Sequence, residues 1–356
     1  MKEKIVFVLM VLALVLSACA PAIQPPTAVS PTQKPADTIV PPTATTAAPV
    51  KVNVCYSSTS AGTAPLWYAQ DNGLFAKYGL EVTTTLISSG SDAVAALISG
   101  DVKFCLVAGA GVVNAVAAGK DPVLIAGLHN KFIGGFYTTP DIKTPEDLRG
   151  KTLAISKPGS SSTVGTLLVL KAFGLVADQD VTLVSVGNDS ERLAAMKAGQ
   201  VSGAVLSPPS SLEAERDGYN KMFDLTTSDI PYQYNGIATT RSFIASDRGT
   251  VTAFMKAIIE AIALVKADPD GTKAILAKYL ELDPVADASI LDGSYNAFVT
   301  LGLESIPYPT LPGIQTIIDT SIAANPAVAS VTPEQVVDIS IVKELEDSGF
   351  ITSVQP

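Results

Sequence analysis

The sequence predicts an α/β protein of two similar lobes, each with a mostly parallel sheet, and a cleft between them. Three observations lead there. Short β-branched runs alternate with helical segments, which implies right-handed crossovers and parallel pairing. A pattern of residues recurs at a constant offset of 99 positions. The chain, at 356 residues, is apolar (47%) and lightly charged (16%), long enough for about two domains.

The N-terminus comes first. Ile5–Leu16 is an unbroken apolar run, too short to span a bilayer but suited to a secretory signal. It leads into Leu16-Ser17-Ala18-Cys19, which resembles a bacterial lipobox. Residues 1–18 are therefore expected to be a lipoprotein signal peptide, with Cys19 lipidated. In residues 19–50 proline, threonine and alanine dominate, too little apolar bulk to offset ordering entropy. That stretch is expected to be a disordered tether holding the folded body outside the membrane.

The body begins near Lys51. A strand over Lys51–Tyr56 leads into a helix over Pro65–Tyr78, a strand over Glu81–Ile87, a helix over Ser91–Ser99 and a strand over Val102–Val107. The same series returns as Thr152–Ile155, Thr163–Phe173, Val181–Val186, Ser190–Ala198 and Ser202–Leu206. The offset of 99 aligns Ala95–Val102 with Ala194–Val201 and Val52–Ser57 with Lys151–Ser156. Between the halves, Thr144-Pro145-Glu146-Asp147 has an N-cap, proline at N1 and an acid at N3, a good helix start.

Ligands of such sheets sit beyond the carboxyl ends of the strands. Six loops lie there: Ser57–Ser60, Ser88–Ser91, Ala108–Gly111, Pro158–Thr163, Gly187–Asp189 and Ser207–Ser210. All are small and rich in hydroxyls or glycine, and each runs into a helix start, where free N–H groups favour an anion or a strong acceptor. Ser58, Thr59, Ser60, Ser89, Gly90, Gly109, Ala110, Gly159, Ser160, Ser161, Ser162, Asn188, Ser207 and Pro208 are the candidate ligand residues, with Tyr234 as an aromatic wall. Asp92, Asp189 and Glu191 read as capping residues, and Trp67 and Tyr68 as core.

Several functions are excluded or weakened. A net charge of −10 and a pI near 4.7, with no basic stripe, argue against nucleic acid. Three cysteines and one histidine leave no disulfide scaffold, no cysteine-built zinc site and no histidine-paired catalytic set. No metal and no cofactor are expected. Gly109-Ala-Gly111-Val-Val-Asn114 approaches a dinucleotide fingerprint but lacks its third glycine, and Lys131 stands where an acid belongs. No nucleophile elbow is present.

Ala64-Pro-Leu-Trp-Tyr-Ala69, Gly73–Val82, Lys143–Lys151, Ser156–Ser160 and Val205–Pro209 resemble the substrate-binding lipoproteins of ABC importers of the nitrate/sulfonate/taurine and thiamine-precursor type. The resemblance covers about Lys51–Ala327. It implies the two-lobed periplasmic-binding-protein type II fold, with lobe 1 over 51–137 and 240–356 and lobe 2 over 138–239. The lobes would be joined near Phe136–Thr139 and Tyr234–Thr240, with the helical tail from Thr250 packed on lobe 1. It further implies a monomeric, extracytoplasmic, lipid-anchored protein, not an enzyme, that closes on a small solute. The solute would be anionic or heteroaromatic: sulfonate, nitrate, bicarbonate or pyrimidine. Its partners would be a membrane permease and that permease's ATPase. His129 and Asn130 would end a strand near the cleft, although a structural histidine fits equally. A ligand sensor signalling to a partner would need the same cleft. A pyrimidine-synthase-like enzyme on this fold would need a cysteine-rich segment absent here. Cys55 and Cys105 are expected on adjacent strands, an awkward geometry for a disulfide, and so as two buried thiols.

Overall fold

Residues 48–355 are described by a computed structural model. The expected signal peptide (1–18), Cys19 and nearly all of the tether (19–50) lie outside the described residues. The chain runs through β1 (Val50–Tyr56), α1 (Ala64–Asp71), α2 (Leu74–Lys77), β2 (Leu80–Leu86), α3 (Gly90–Ser99), β3 (Phe104–Val107), α4 (Gly109–Ala117) and β4 (Pro122–Lys131). It continues through β5 (Gly135–Thr138), β6 (Thr152–Ile155), α5 (Ser161–Phe173), β7 (Thr182–Ser185), α6 (Asp189–Lys197), β8 (Gly203–Leu206), α7 (Ser210–Arg216), β9 (Asn220–Asp224) and β10 (Pro231–Thr240). A helical tail follows, including α8 (Arg241–Ser246), α9 (Arg248–Ala267), α10 (Pro269–Leu280), α11 (Ala288–Tyr295) and α12 (Leu311–Ser321).

The strands form two five-stranded sheets with matching plans, β2-β1-β3-β10-β4 and β7-β6-β8-β5-β9. In each, four strands point one way and the fourth in order, β10 or β5, runs against its neighbours. That reversed strand is the one that has just crossed from the other sheet. The expected direction therefore holds for four strands in five. The crossings themselves lie at 132–134 and 225–230, a few residues ahead of Phe136–Thr139 and Tyr234–Thr240. Phe136 and Tyr137 already pair with Val205 and Ala204 in the second sheet, and Tyr234–Thr240 lies inside β10.

Two local expectations change. The helix read over Pro65–Tyr78 is broken at Gly73, whose φ of +69° ends α1 and starts α2. Cys55 and Cys105, expected as free thiols, form a disulfide. They stand directly opposite on β1 and β3 with Cα atoms 4.5 Å apart, inside the range a disulfide tolerates.

Thr144 and Asp147 do make the expected capping box, although the helix they start is a single 3₁₀ turn, Pro145–Leu148. The tail covers the first sheet. Phe254, Ile258 and Ile262 of α9 pack with Val52, Val54 and Trp67 on one side. On the other, Ile314, Ile317 and Ile318 of α12 pack with Val112 and Val113 of α4. This sandwiching fixes β1, β2 and β3, and with them the loops at their carboxyl ends.

Candidate functional site

The carboxyl ends of the two sheets face each other across a cavity of about 60 Å³. At about 10–15 Å³ per water, that is room for about four to six waters, or one small solute. Five of the six expected loops supply its wall.

From the first sheet come Ser57 and Ser58 after β1, Ser88, Ser89 and Gly90 after β2, and Ala108 with Gly111 after β3. Ser58 lies at the cavity, whereas Thr59 does not line it and Ser60 is buried at the start of a 3₁₀ turn. Gly109 and Ala110 turn inward rather than to the cavity. A Cβ on Gly109 would meet Ile314 and Ile317 at 3.0 Å, and Ala110 belongs to the core.

The second sheet supplies Ser156, Ser161, Ser162, Asn188, Asp189, Arg192 and Val205. The serines cluster for a reason: Ser156 donates to Ser160 Oγ at 2.7 Å, and Ser162 Oγ accepts from the Ser156 N–H at 2.7 Å. Ser160 is consumed within this network and does not line the cavity. Gly159 lines a separate, mostly apolar hollow of about 430 Å³ and accepts from Asn114 Nδ2 at 3.3 Å. Ser207 and Pro208 stand behind the wall, the Ser207 N–H donating to Asp189 Oδ1 at 2.9 Å.

Tyr234 and Phe132 close one side as aromatic walls, their rings 4.7 Å apart. Burial pushes the Tyr234 phenol up, and the charge of Asp189 pushes it the same way. His129 and Asn130 do not reach the cavity. His129 is buried, with Nε2 3.0 Å from the Phe298 carbonyl, and burial pushes its pKa down to about 4. Asn130 donates to the Tyr308 carbonyl at 2.9 Å. Of the two readings open for this segment, the structural one matches these contacts.

The sequence reading missed Asp189 as a wall residue and Arg192 altogether. Asp189 opens α6, and Arg192 follows one turn later on the same helix face, 3.0 Å from Oδ1 and almost wholly buried. That i,i+3 acid–base spacing was the available signal. Arg192 also donates to the Val205 carbonyl at 3.1 and 3.3 Å and to the Gly187 carbonyl.

Three helix starts at the cavity, those of α3, α4 and α5, have no side chain capping their first turn. Their N–H groups and the dipoles behind them remain for a ligand's acceptor atoms. The fourth, α6, is closed by Asn188, which accepts from the Glu191 N–H at 3.1 Å. Among the described residues, the buried Ser89 hydroxyl has no hydrogen-bond partner.

Contacts already bridge the two sides. Ser58 Oγ lies 3.4 Å from Asp189 Oδ2, Ser91 donates to the Pro158 carbonyl at 3.1 Å, and Lys157 pairs with Asp92 at 2.6 Å. Tyr232 donates to Ser161 at 3.1 Å. The arrangement is closed, and the site draws on both sheets.

The family model described as NMT1/THI5 like matches residues 60–272. A putative ABC transporter periplasmic binding protein of Brachyspira hyodysenteriae is 29% identical over 224 residues, 58% of this chain. That match spans 63% of the relative's own length. Among solved structures, the nitrate-binding protein NrtA of Synechocystis PCC 6803 superposes with a TM-score of 0.72 at 14% identity, covering 86% of this chain and 91% of NrtA. The aliphatic sulphonate-binding protein SsuA of Escherichia coli gives 0.63 at 20%, covering 82% and 92%. These likenesses show the fold: two α/β lobes of the periplasmic-binding-protein type.

Proposed function

The chain belongs to the NMT1/THI5-like family, and from that premise we propose that it is the extracytoplasmic solute-binding component of an ABC importer. The observation that carries this reading is the convergence of five loops, drawn from both sheets, on one small cavity with three uncapped helix starts. A solute there touches both lobes and stabilises the closed form by the sum of those contacts. The curated relative's name as an ABC transporter binding protein supports the same role.

In this reading the lobe bounds follow the crossings at 132–134 and 225–230 rather than the expected 137/138 and 239/240, because β5 belongs to the second sheet and β10 to the first, and the lobes move as units about those crossings. Cys19 carries a lipid, and the tether lets a monomeric body reach a membrane permease. The permease's ATPase supplies the energy, so this chain performs no catalysis of its own. The ligand is a small solute of the sulfonate, nitrate, bicarbonate or pyrimidine type.

A thermal-shift panel of such solutes tests the proposal. A true ligand at a hundredfold excess over its dissociation constant adds about 2.7 kcal/mol to stability. Small-angle scattering with and without it should report the lobes in two separations. A panel in which no solute shifts the transition, with scattering unchanged, would remove the basis for a binding role.

A further inference from the structure

The wall of the cavity is asymmetric in one respect. Among the described residues lining it, only Asp189 and Arg192 carry charge, and both stand on α6. Arg192 is occupied by the Val205 and Gly187 carbonyls and by Asp189 Oδ1, so it neutralises the acid while presenting little of itself to a solute. Oδ1 of Asp189 is held from behind by Arg192 and by the Ser207 N–H. Among the described residues, Oδ2 has only the Ser58 hydroxyl, 3.4 Å away on the opposite lobe.

A carboxylate oxygen therefore lines a cavity whose other polar features, besides the occupied Arg192, are N–H groups at three helix starts, the hydroxyls of its serines and of Tyr234, and the amides of Asn188 and Asn235, nearly all of them able to donate. An oxyanion bearing acceptors alone would satisfy those helix starts but set its lone pairs against Oδ2. A solute with an N–H or O–H beside its acceptors satisfies both sides.

Resting on the solute-binding reading above, we propose that Asp189 is the specificity-determining residue of the cleft. It selects solutes that carry a hydrogen-bond donor as well as acceptors, and it rejects oxyanions such as nitrate or a sulfonate. Removing its charge while keeping its shape leaves Arg192 unbalanced and turns the same cavity toward anions.

Methanesulfonamide and methanesulfonate share a shape and differ in that one offers N–H donors and the other a negative charge. Calorimetric titration of the full chain with each is the test. The sulfonamide should bind at least about tenfold more tightly to the wild type, a difference of about 1.4 kcal/mol. Asp189→Asn should reverse the order and gain affinity for nitrate. Equal or tighter binding of methanesulfonate or nitrate to the wild type overturns the proposal while leaving the binding role intact. A folded Asp189→Asn variant that gains no anion affinity also overturns it. Where circular dichroism shows that this variant does not fold, the wild-type comparison decides alone. If neither sulfur probe binds, the wider solute panel decides. Shifts confined to donor-bearing solutes support the proposal and shifts by acceptor-only anions refute it, whereas no shift by any solute removes the binding reading beneath it.

Discussion

Replacing Arg192 with glutamine probes whether the charge pair at the cavity wall is desolvated. The Arg192 side chain is 4% exposed and that of Asp189 15% exposed, at an N–O distance of 3.0 Å. Breaking a buried pair by removing one partner costs about 3–5 kcal/mol, because the other charge stays buried without compensation. Here the Val205 and Gly187 carbonyls also lose their donor. The melting temperature converts this cost into a statement about cooperativity. At about 2.1 cal/mol/K per residue, roughly 300 residues melting together have an unfolding entropy near 0.6 kcal/mol/K. The loss then lowers the melting temperature by about 5–8 °C. If the second lobe of roughly 100 residues melts separately, the same loss moves its transition by about 15–25 °C. Differential scanning calorimetry distinguishes one transition from two. Adding Asp189→Asn to Arg192→Gln should recover part of the loss, since no charge is then left uncompensated. A drop below about 2 °C would refute the reasoning, because it would mean that water screens the pair.

Three further expectations follow from other parts of the molecule. Cys55 and Cys105 should resist alkylation until reduced. Their separation of 50 residues sets an entropic contribution of about 4 kcal/mol, which denaturant melts of the Cys55→Ser/Cys105→Ser variant should show as lost. Ser161→Trp should fill the cavity and abolish any ligand-induced thermal shift while circular dichroism stays unchanged; a retained shift would move the site elsewhere. His129 is held neutral in the fold, with its pKa pushed down to about 4. Below its unfolded value near 6.5 the unfolded chain takes up a proton that the folded chain refuses, so stability is lost as pH falls from about 6.5 to 4. The loss is at most roughly 3 kcal/mol. His129→Gln should lack this part of the pH slope in melts across that range, and an unchanged slope would assign it to other groups.

How much of this was legible in the residues depends on the range of the forces involved. The strands announced themselves through β-branched runs, and the capping box at Thr144 through local hydrogen-bond chemistry, whereas Asn188, read as a ligand residue, also proves to cap α6. The break at Gly73 was hidden by an otherwise continuous helical pattern. The disulfide depended on a register between β1 and β3 that no local signal specifies. The choice between the two readings open for His129 and Asn130 was not legible, because their partners, the carbonyls of Phe298 and Tyr308, lie more than 160 residues away.

The repeat reaches further than its low identity suggests. β3 and β8 occupy Phe104–Val107 and Gly203–Leu206, 99 positions apart, and each is third in its sheet. The same offset relates wall residues of the cavity in pairs: Ser57 with Ser156, Ser89 with Asn188, and Gly90 with Asp189. A shared plan thus delivers equivalent positions of both lobes to one place, and the first two pairs are of like kind, small and polar. The third is not. Where the first lobe opens its helix with glycine, the second opens it with a carboxylate and needs Arg192, one turn on, to hold that charge out of water. Two matched walls alone would make a cavity of N–H groups and hydroxyls, indifferent among small acceptors. The departure from the repeat at a single pair is what gives the cavity a polarity, and so the means to tell one solute from another.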